Sequence, residues 1–165
     1  MNKNEQFESD RLVYRGITEQ DADCLVKWRS DLELIKYLRN PVPVTKDSHT
    51  DWYENSYLNN TSRYDFIIIE KESGKRFGIL GVSNIRREDN SYEFAFMIGE
   101  SSFRGQGFAL EAHIAMMDRM YSEGYSNGYS IMHKDNIAMI KTIQKFGSTK
   151  IGEEGSFVIY KKVCE

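Results

Sequence analysis

The residues with the clearest chemistry lie in one stretch, Ile98-Gly99-Glu100-Ser101-Ser102-Phe103-Arg104-Gly105-Gln106-Gly107-Phe108-Ala109. Gly105 and Gly107 stand where a long segment of helical periodicity begins. Glycine has no Cβ to keep backbone N–H groups from converging on one point. A helix start adds unpaired N–H donors and the positive end of the peptide dipole. Together these make a site for an anion such as a pyrophosphate. An ordinary glycine-rich turn is a second reading, and other phosphate patterns compete. A Walker loop needs Gly-Lys-Ser/Thr, which is absent, and a dinucleotide fingerprint needs Gly or Ala where Leu110 stands. That fingerprint also belongs after the first strand of a βαβ unit, which is not the setting here.

Few other residues are spaced for chemistry. His49 and His113 read as a helix entry and a helix face, whereas His133 closes a strand. Cys24 and Cys164 lie near opposite ends, with neither metal-ligand spacing nor a disulfide framework, so free thiols and no metal site are expected. Lys and Arg number 22 against 25 Asp and Glu, a net charge of −3. No broad basic field exists to grip nucleic acid. Mean hydropathy is −0.58, and no apolar run reaches the ~18 residues of a membrane span. Met1–Asp10 is polar with no apolar stretch, so no signal peptide and a cytoplasmic location are expected.

The elements that must hold the glycine loop can be read from periodicity. At ~150 residues per domain, the chain of 165 residues is read as one continuous domain. Arg11–Arg15 alternates as a first strand. Thr18-Glu19-Gln20-Asp21 is a helix-start signal, and a helix follows from Glu19 to Ser30. A short helical piece over Asp31–Leu38 stops at Asn40-Pro41-Val42-Pro43, and Asp47–Leu58 is a further helix. Strands follow at Tyr64–Glu70, at Arg76–Ile85 (broken by Gly78 and Gly81) and at Ser91–Gly99, with short turns that imply an antiparallel meander. Gly107–Gly124 is a long helix with Leu110, Ile114, Met117 and Tyr121 on one face, flanked by Ala109, Ala112, Met116 and Met120. Tyr125–His133 is a strand and Asn136–Phe146 a helix with Ile140 and Ile143 inward. Ile151 and Phe157–Val163 supply the final strands. A meander followed by β-α-β-α means a mixed α/β sheet with helices on its faces.

In that setting Arg104-Gly105-Gln106-Gly107-Phe108-Ala109, followed by Glu111-Ala112, resembles the Arg/Gln-x-x-Gly-x-Gly/Ala pyrophosphate loop of the GNAT family of N-acetyltransferases. The preceding strand, Glu93-Phe94-Ala95-Phe96-Met97-Ile98, is similar too. Asn136-Ile137-Ala138 with Lys145-Phe146-Gly147 resembles the family's Asn-x-Ala…Lys-x-Gly-Phe helix. The resemblance covers Arg11–Val163. It implies a mostly antiparallel, twisted sheet of about seven strands with about four helices on its faces. It also implies acetyl-CoA as cosubstrate in a cleft between the fourth and fifth strands. Backbone groups of Phe96, Met97 and Ile98 would pair with the pantetheine arm. The amides of Arg104, Gly105, Gln106, Gly107, Phe108 and Ala109 would hold the pyrophosphate. Asn136 would bond the pantetheine and Lys141 would reach outer phosphates, with a solvated helix charge as the plainer reading of Lys141.

The chemistry implied is acetyl transfer from a thioester to an amine. Only the neutral amine attacks, and deprotonation at pH 7 costs about 4.6 kcal/mol for a pKa of ~10.4 but about 1.4 for one near ~8. A general base is therefore useful. Glu93 is the first candidate, because many family members carry a carboxylate there facing the acceptor. His133 is the second, since histidine titrates near neutrality. The amide of Ile98 or a neighbour is the family-like donor to the developing oxyanion. Two positions depart from the family pattern. The tyrosine acid expected seven residues after Asn136 is Ile143, and the Phe after Lys-x-Gly is Ser148. The first change matches the ribosomal-protein N-terminal acetyltransferase branch. A thiol of pKa ~8.5 can leave unassisted.

Trp28-Arg29-Ser30-Asp31, then Lys36-Tyr37-Leu38, resembles a segment of family members that acetylate aminosugar nucleotides. On that resemblance Arg29 would take a phosphate and Trp28 a sugar or base face. Core packing and a helix-end charge are the plainer readings. A small-molecule amine or a peptide N-terminus is thus the expected acceptor. No nucleic-acid or membrane partner is expected, and a homodimer stays open. A CoA-binding module without chemistry, and a nucleotide binder using the glycine loop, remain alternatives.

Overall fold

The computed structural model describes residues 1–164. Eight strands form one sheet in the order β1-β2-β3-β4-β5-β6-β8-β7. They are β1 (Gln6–Glu8), β2 (Leu12–Gly16), β3 (Tyr64–Glu70), β4 (Arg76–Arg86), β5 (Ser91–Ile98), β6 (Asn127–His133), β7 (Thr149–Glu154) and β8 (Phe157–Val163). All neighbours are antiparallel except β5 and β6. The helices are α1 (Ala22–Ser30), α2 (Leu32–Ile35), α3 (Lys46–Trp52), α4 (Phe108–Ser122) and α5 (Ile137–Lys145). This is the GNAT fold expected from the sequence, with one strand and one helix more.

The sheet is buried on both faces, which explains the continuous apolar run of β3. Phe66 and Ile68 pack toward α4 with Leu12, Tyr14, Leu80 and Met116. Ile67, between them, points the other way to Leu25 and Trp28 of α1 and to Tyr53 and Tyr57. A third apolar cluster, Met132, Ile143, Val158 and Tyr160, sits under α5. Asp21 anchors the entry to α1. It is wholly buried and accepts from both guanidinium NH groups of Arg15 (3.0 and 2.8 Å), from Arg76 (3.0 Å) and from the Thr18 amide (2.8 Å).

Several details differ from the sequence reading. β1 is only three residues long, and its pairing to β2 across a tight turn leaves no periodicity to read. The first helix begins as a 3-10 turn at Glu19–Asp21, and the third ends as a π turn at Tyr53–Tyr57. β4 is unbroken: Gly78 and Gly81 both hold register with β5, and Gly78 is needed because a Cβ there would meet the Met97 carbonyl oxygen at 2.4 Å. The buried stripe of α4 is Phe108, Ala112, Met116 and Met120, whereas Ile114 and Tyr121 face solvent at 44% and 49% exposure. A strict i+4 row wins there because small Ala112 and flexible methionines fit against the sheet.

Candidate active site

β5 and β6 pair only at Ser91–Asn127, Tyr92–Gly128 and Glu93–Tyr129. Gly128 lets them meet, since a Cβ there would sit 2.7 Å from the Phe94 ring and 3.0 Å from the Tyr92 hydroxyl. Beyond Glu93, β5 stays with β4 through Phe96–Leu80, Met97–Ile79 and Ile98–Gly78, while β6 stays with β8 along its full length. The two strands therefore splay, and the edge of β5 facing β6 has no strand partner from Phe94 to Ile98. A cleft of about 810 Å³ opens there, lined by Phe96, Met97 and Ile98 on one side and Ser130, Ile131 and Met132 on the other.

The free edge leads to the glycine loop. Gly105 (φ +75°) and Gly107 (φ +81°) are both left-handed, a conformation costing other residues about 1–2 kcal/mol. A Cβ on Gly105 would meet nothing within 4 Å, so backbone conformation rather than space demands that glycine. The Glu111 amide donates to the Gly107 carbonyl (3.2 Å), closing the first turn of α4. The amides of Gly105, Gln106, Gly107, Phe108, Ala109 and Leu110 have no acceptor among the described residues. These unfilled donors at a helix start suit the pyrophosphate of a coenzyme.

Two clamps fix the loop. On one side, Arg11 of the turn before β2 donates through Nε to Glu111 Oε2 (2.7 Å) and through a terminal nitrogen to the Gln106 carbonyl (3.0 Å). Its guanidinium lies over the Phe108 ring at 4.3 Å. Glu111 also accepts from the Arg11 amide (2.8 Å) and the Ser9 hydroxyl (2.6 Å). Burial pushes the Glu111 carboxyl up, but these donors and the Arg11 charge outweigh it, so its net shift is downward. On the other side, Glu100 accepts from Trp28 Nε1 and from Lys27 Nζ, both at 2.7 Å. Gly99 lies against the Trp28 ring, where a Cβ would meet ring atoms at 2.2 Å.

Most of the expected coenzyme residues come together here. Phe96, Met97, Ile98, Arg104, Gly105, Gly107, Phe108, Ala109, Asn136 and Lys141 all line the cleft. Phe108 presents only backbone, its ring being buried beside Phe77 and Phe103. Gln106 is outside the lining, because its side chain donates to the Ser102 carbonyl at 2.7 Å. Asn136 caps α5 by accepting from the Met139 amide (3.3 Å) and has its side-chain NH2 free for another acceptor. Ile143 is wholly buried with Met132, Val158 and Tyr160, so no phenol stands there.

The acceptor-side residues fare differently. Glu93 lines the cleft at the point where the strands part. It accepts from Asn84 Nδ2 (3.0 Å) and pairs with Arg39 (3.3 Å). His133 does not line the cleft. Its ring lies 5.6 Å from Tyr37 and 5.4 Å from Phe157, and the Asp135 amide donates to its Nδ1 at 3.2 Å. The structure does not bring Trp28 and Arg29 to the cleft either. Trp28 is 1% exposed and belongs to the Glu100 clamp. Arg29 has an unpartnered Nε, and burial followed by the Arg63 charge pushes its guanidinium down.

Three residues of the cleft had no site role in the sequence reading, His113 being read only as a helix face. Tyr37 and Arg39 line the cleft from the segment after α2, Arg39 pairing with Glu93 and the Tyr37 ring lying beside that of His133. His113 lines it from α4, with Nδ1 on the Ala109 carbonyl (2.7 Å) and Phe94, Phe96 and Phe146 around its ring. Burial pushes its pKa down to about 4 and keeps it neutral. Local spacing did not mark Arg39 and Tyr37, because Glu93 and His133 lie far away in the chain. Among the described residues no group of three or more His, Cys, Asp or Glu could hold a metal ion, and no helix is long and apolar enough to cross a membrane.

A splayed strand pair leading to a glycine-bound helix start is the arrangement of acyl-CoA N-acyltransferases implied by the sequence resemblance. The acetyltransferase (GNAT) domain family matches residues 11–149, and the chain belongs to that family. It is 24% identical over 156 residues to an uncharacterized protein of Methanocaldococcus jannaschii, covering 92% of this chain but only 31% of that protein. It is 28% identical over 152 residues to an uncharacterized N-acetyltransferase of Bacillus licheniformis, covering 90% and 84% of the two chains. Two solved structures share the fold. One is a ribosomal L7/L12 α-N-protein acetyltransferase in complex with coenzyme A (TM-score 0.82, 16% identity, 96% and 98% coverage). The other is the spermidine N-acetyltransferase of Vibrio cholerae with CoA and spermine (TM-score 0.81, 15% identity, 93% and 94% coverage).

Proposed function

We propose that this chain transfers the acetyl group of acetyl-CoA to a primary amine by direct attack of the amine in a ternary complex. The observation that carries this reading is the row of acceptor-free amides from Gly105 to Leu110 at the end of an unpaired strand edge. The residues present fit the coenzyme: the amides match a pyrophosphate, the free edge of β5 matches an extended amide-bearing arm, and Arg104 and Lys141 add positive charge at the same end. Acetyl-CoA supplies the activated acyl group as a thioester.

The chain's own groups do the rest. Glu93 takes a proton from the ammonium of the acceptor, directly or through water, to expose the lone pair. The nitrogen forms a bond to the acyl carbon, the carbon–sulfur bond then breaks, and the proton that the nitrogen sheds passes, directly or through water, to the departing thiolate. A β5 amide at or near Ile98 donates to the acyl oxygen as it gains charge, a contact worth about 2.7–4 kcal/mol in comparable sites. The thiolate departs without a protein acid at the Ile143 position. His133, held outside the cleft behind Tyr37, has no direct part in this account. The acceptor is a small-molecule amine or a protein N-terminus.

A thiol-release assay with acetyl-CoA across a panel of amines tests this. Release that depends on an amine, with the acetylated product seen by mass spectrometry, is expected. Binding of acetyl-CoA with no release for any amine would leave a coenzyme-binding module without chemistry. The apolar burial of Ile143 is the observation favouring that second reading.

A further inference from the structure

The charges around the acceptor half of the cleft point to what enters it. Four charged side chains line that half: Glu33, Lys36, Arg39 and Glu93. Each carboxylate already has its own cation. Lys36 pairs with Glu33 at 2.6 Å and Arg39 with Glu93 at 3.3 Å. The remaining cationic residues of the cleft, Arg104, Lys141 and Lys145, lie on the loop and α5 at the coenzyme end. No surplus negative charge is left for a purely cationic acceptor.

The Arg39–Glu93 pair is also built asymmetrically. The Glu93 side chain is 17% exposed and is fixed by Asn84, whereas that of Arg39 is 50% exposed and sits on a loop. An ammonium approaching Glu93 must share it with, or displace, a guanidinium. A displaced guanidinium, half exposed, loses a charge-assisted pair that only another anion can replace. An acceptor that carries its own carboxylate or phosphate solves both requirements at once. Its ammonium takes Glu93 and its anion takes the planar fork of Arg39. With hydrogen bonds of about 2.9 Å to each partner and 3.3 Å between the partners, the amine and anion lie no more than about 9 Å from one another.

We propose that the acceptor is a zwitterionic small amine, with a carboxylate or phosphate next to its amino group, and that Arg39 is the specificity-determining residue that reads the anion. This rests on the acetyl-transfer reading above.

The test compares amines bearing a nearby carboxylate (α- and β-amino acids) or phosphate (phosphoethanolamine, an aminosugar phosphate) with spermidine, an uncharged-tail alkylamine and a peptide with a neutral N-terminal residue. Thiol release is measured for wild type, Arg39→Gln and Arg39→Lys, and amine binding to the CoA-loaded protein is measured by calorimetry. The wild type should favour an anion-bearing amine at least about tenfold in kcat/KM. Arg39→Gln should erase that preference in both turnover and amine binding, leave the KM for acetyl-CoA unchanged, and be partly rescued by Arg39→Lys. Comparing the carboxylate and phosphate arms identifies the anion. Best turnover with spermidine, the alkylamine or the peptide would overturn the proposal while leaving the acetyltransferase reading intact. So would a preference untouched by Arg39→Gln. Release with no amine at all would instead defeat the underlying reading.

Discussion

The two halves of the cleft are built on opposite plans. The coenzyme half is made of backbone: a free strand edge, a row of unfilled amides, and glycines whose φ angles permit them. Its side chains mostly hold that backbone still, as Arg11 before β2 does with Glu111 of α4, and Trp28 of α1 does with Glu100 after β5. The acceptor half is made of side chains from α2, the segment after it and β5, with charges paired to one another. Backbone recognition suits a ligand that never changes. Swappable side-chain charges suit a ligand that differs among proteins of one fold, and two structures of this fold are those of a ribosomal-protein and a spermidine acetyltransferase.

Substitutions should separate the halves. The largest effect is expected for Gly99→Ala, where a Cβ would enter the Trp28 ring at 2.2 Å. Over-packing of this kind costs up to about 3 kcal/mol, a fall of roughly 6–12 °C in Tm for a domain of this size. Thermal unfolding checks it, and the KM for acetyl-CoA should rise more than that for the amine because the strain falls at the root of the loop.

His113 gives a comparable effect that appears only with pH. Its folded pKa of about 4 lies below the unfolded value of ~6.5. The unfolded chain therefore binds a proton that the native one refuses, and stability falls as pH drops from 6.5 toward 4, by on the order of 3 kcal/mol. In His113→Phe this slope should shrink to the part left by His49, whose pKa burial and the Arg29 charge also lower. Asp21 and Glu111 act in a lower window. Burial raises both carboxyls, but hydrogen bonds and the facing arginines outweigh it, so both are depressed. Their stabilisation is present above the unfolded values near 4 and lost as pH falls further. Tm measured from pH 3 to 8 for wild type and His113→Phe resolves the two windows.

The smallest effect is expected for Arg11→Ala. It removes charge-assisted bonds at a partly exposed site, worth about 1.5 kcal/mol together. Where acetyl-CoA must itself order the released loop, that free energy is taken from binding, a rise of up to roughly tenfold in the KM for acetyl-CoA. Steady-state kinetics should show the amine KM unchanged and partial recovery with Arg11→Lys. An equal change in both KM values would mean that the clamp does not distinguish the halves.

The same contrast explains what was legible in the sequence. Gly105, Gly107 and Asn136 act within a few residues of one another or at an element boundary, so local spacing displayed them together with the strand and helix that carry them. Arg39 and Glu93, or Arg11 and Glu111, meet only through the sheet, with separations no periodicity records. Trp28 shows how a residue type misleads: a tryptophan suits a sugar face, but here its indole N–H is spent on Glu100 and its ring on Gly99. The long helix misled by a rotation: Phe108, Ala112, Met116 and Met120 are buried with His113, Leu110 and Met117 are only partly covered, and Ile114 and Tyr121 face solvent.

The central claim is that the loop amides hold the coenzyme. The most direct test is calorimetric titration of acetyl-CoA into wild type and Gly105→Val, with NAD and ATP as competitors. A Cβ at Gly105 meets nothing, so the variant should keep its fold and lose only the left-handed φ. Binding weakened at least about tenfold, with acetyl-CoA tighter than NAD or ATP in the wild type, is the predicted result. Unchanged affinity in Gly105→Val, or tighter binding of NAD or ATP than of acetyl-CoA, would contradict it.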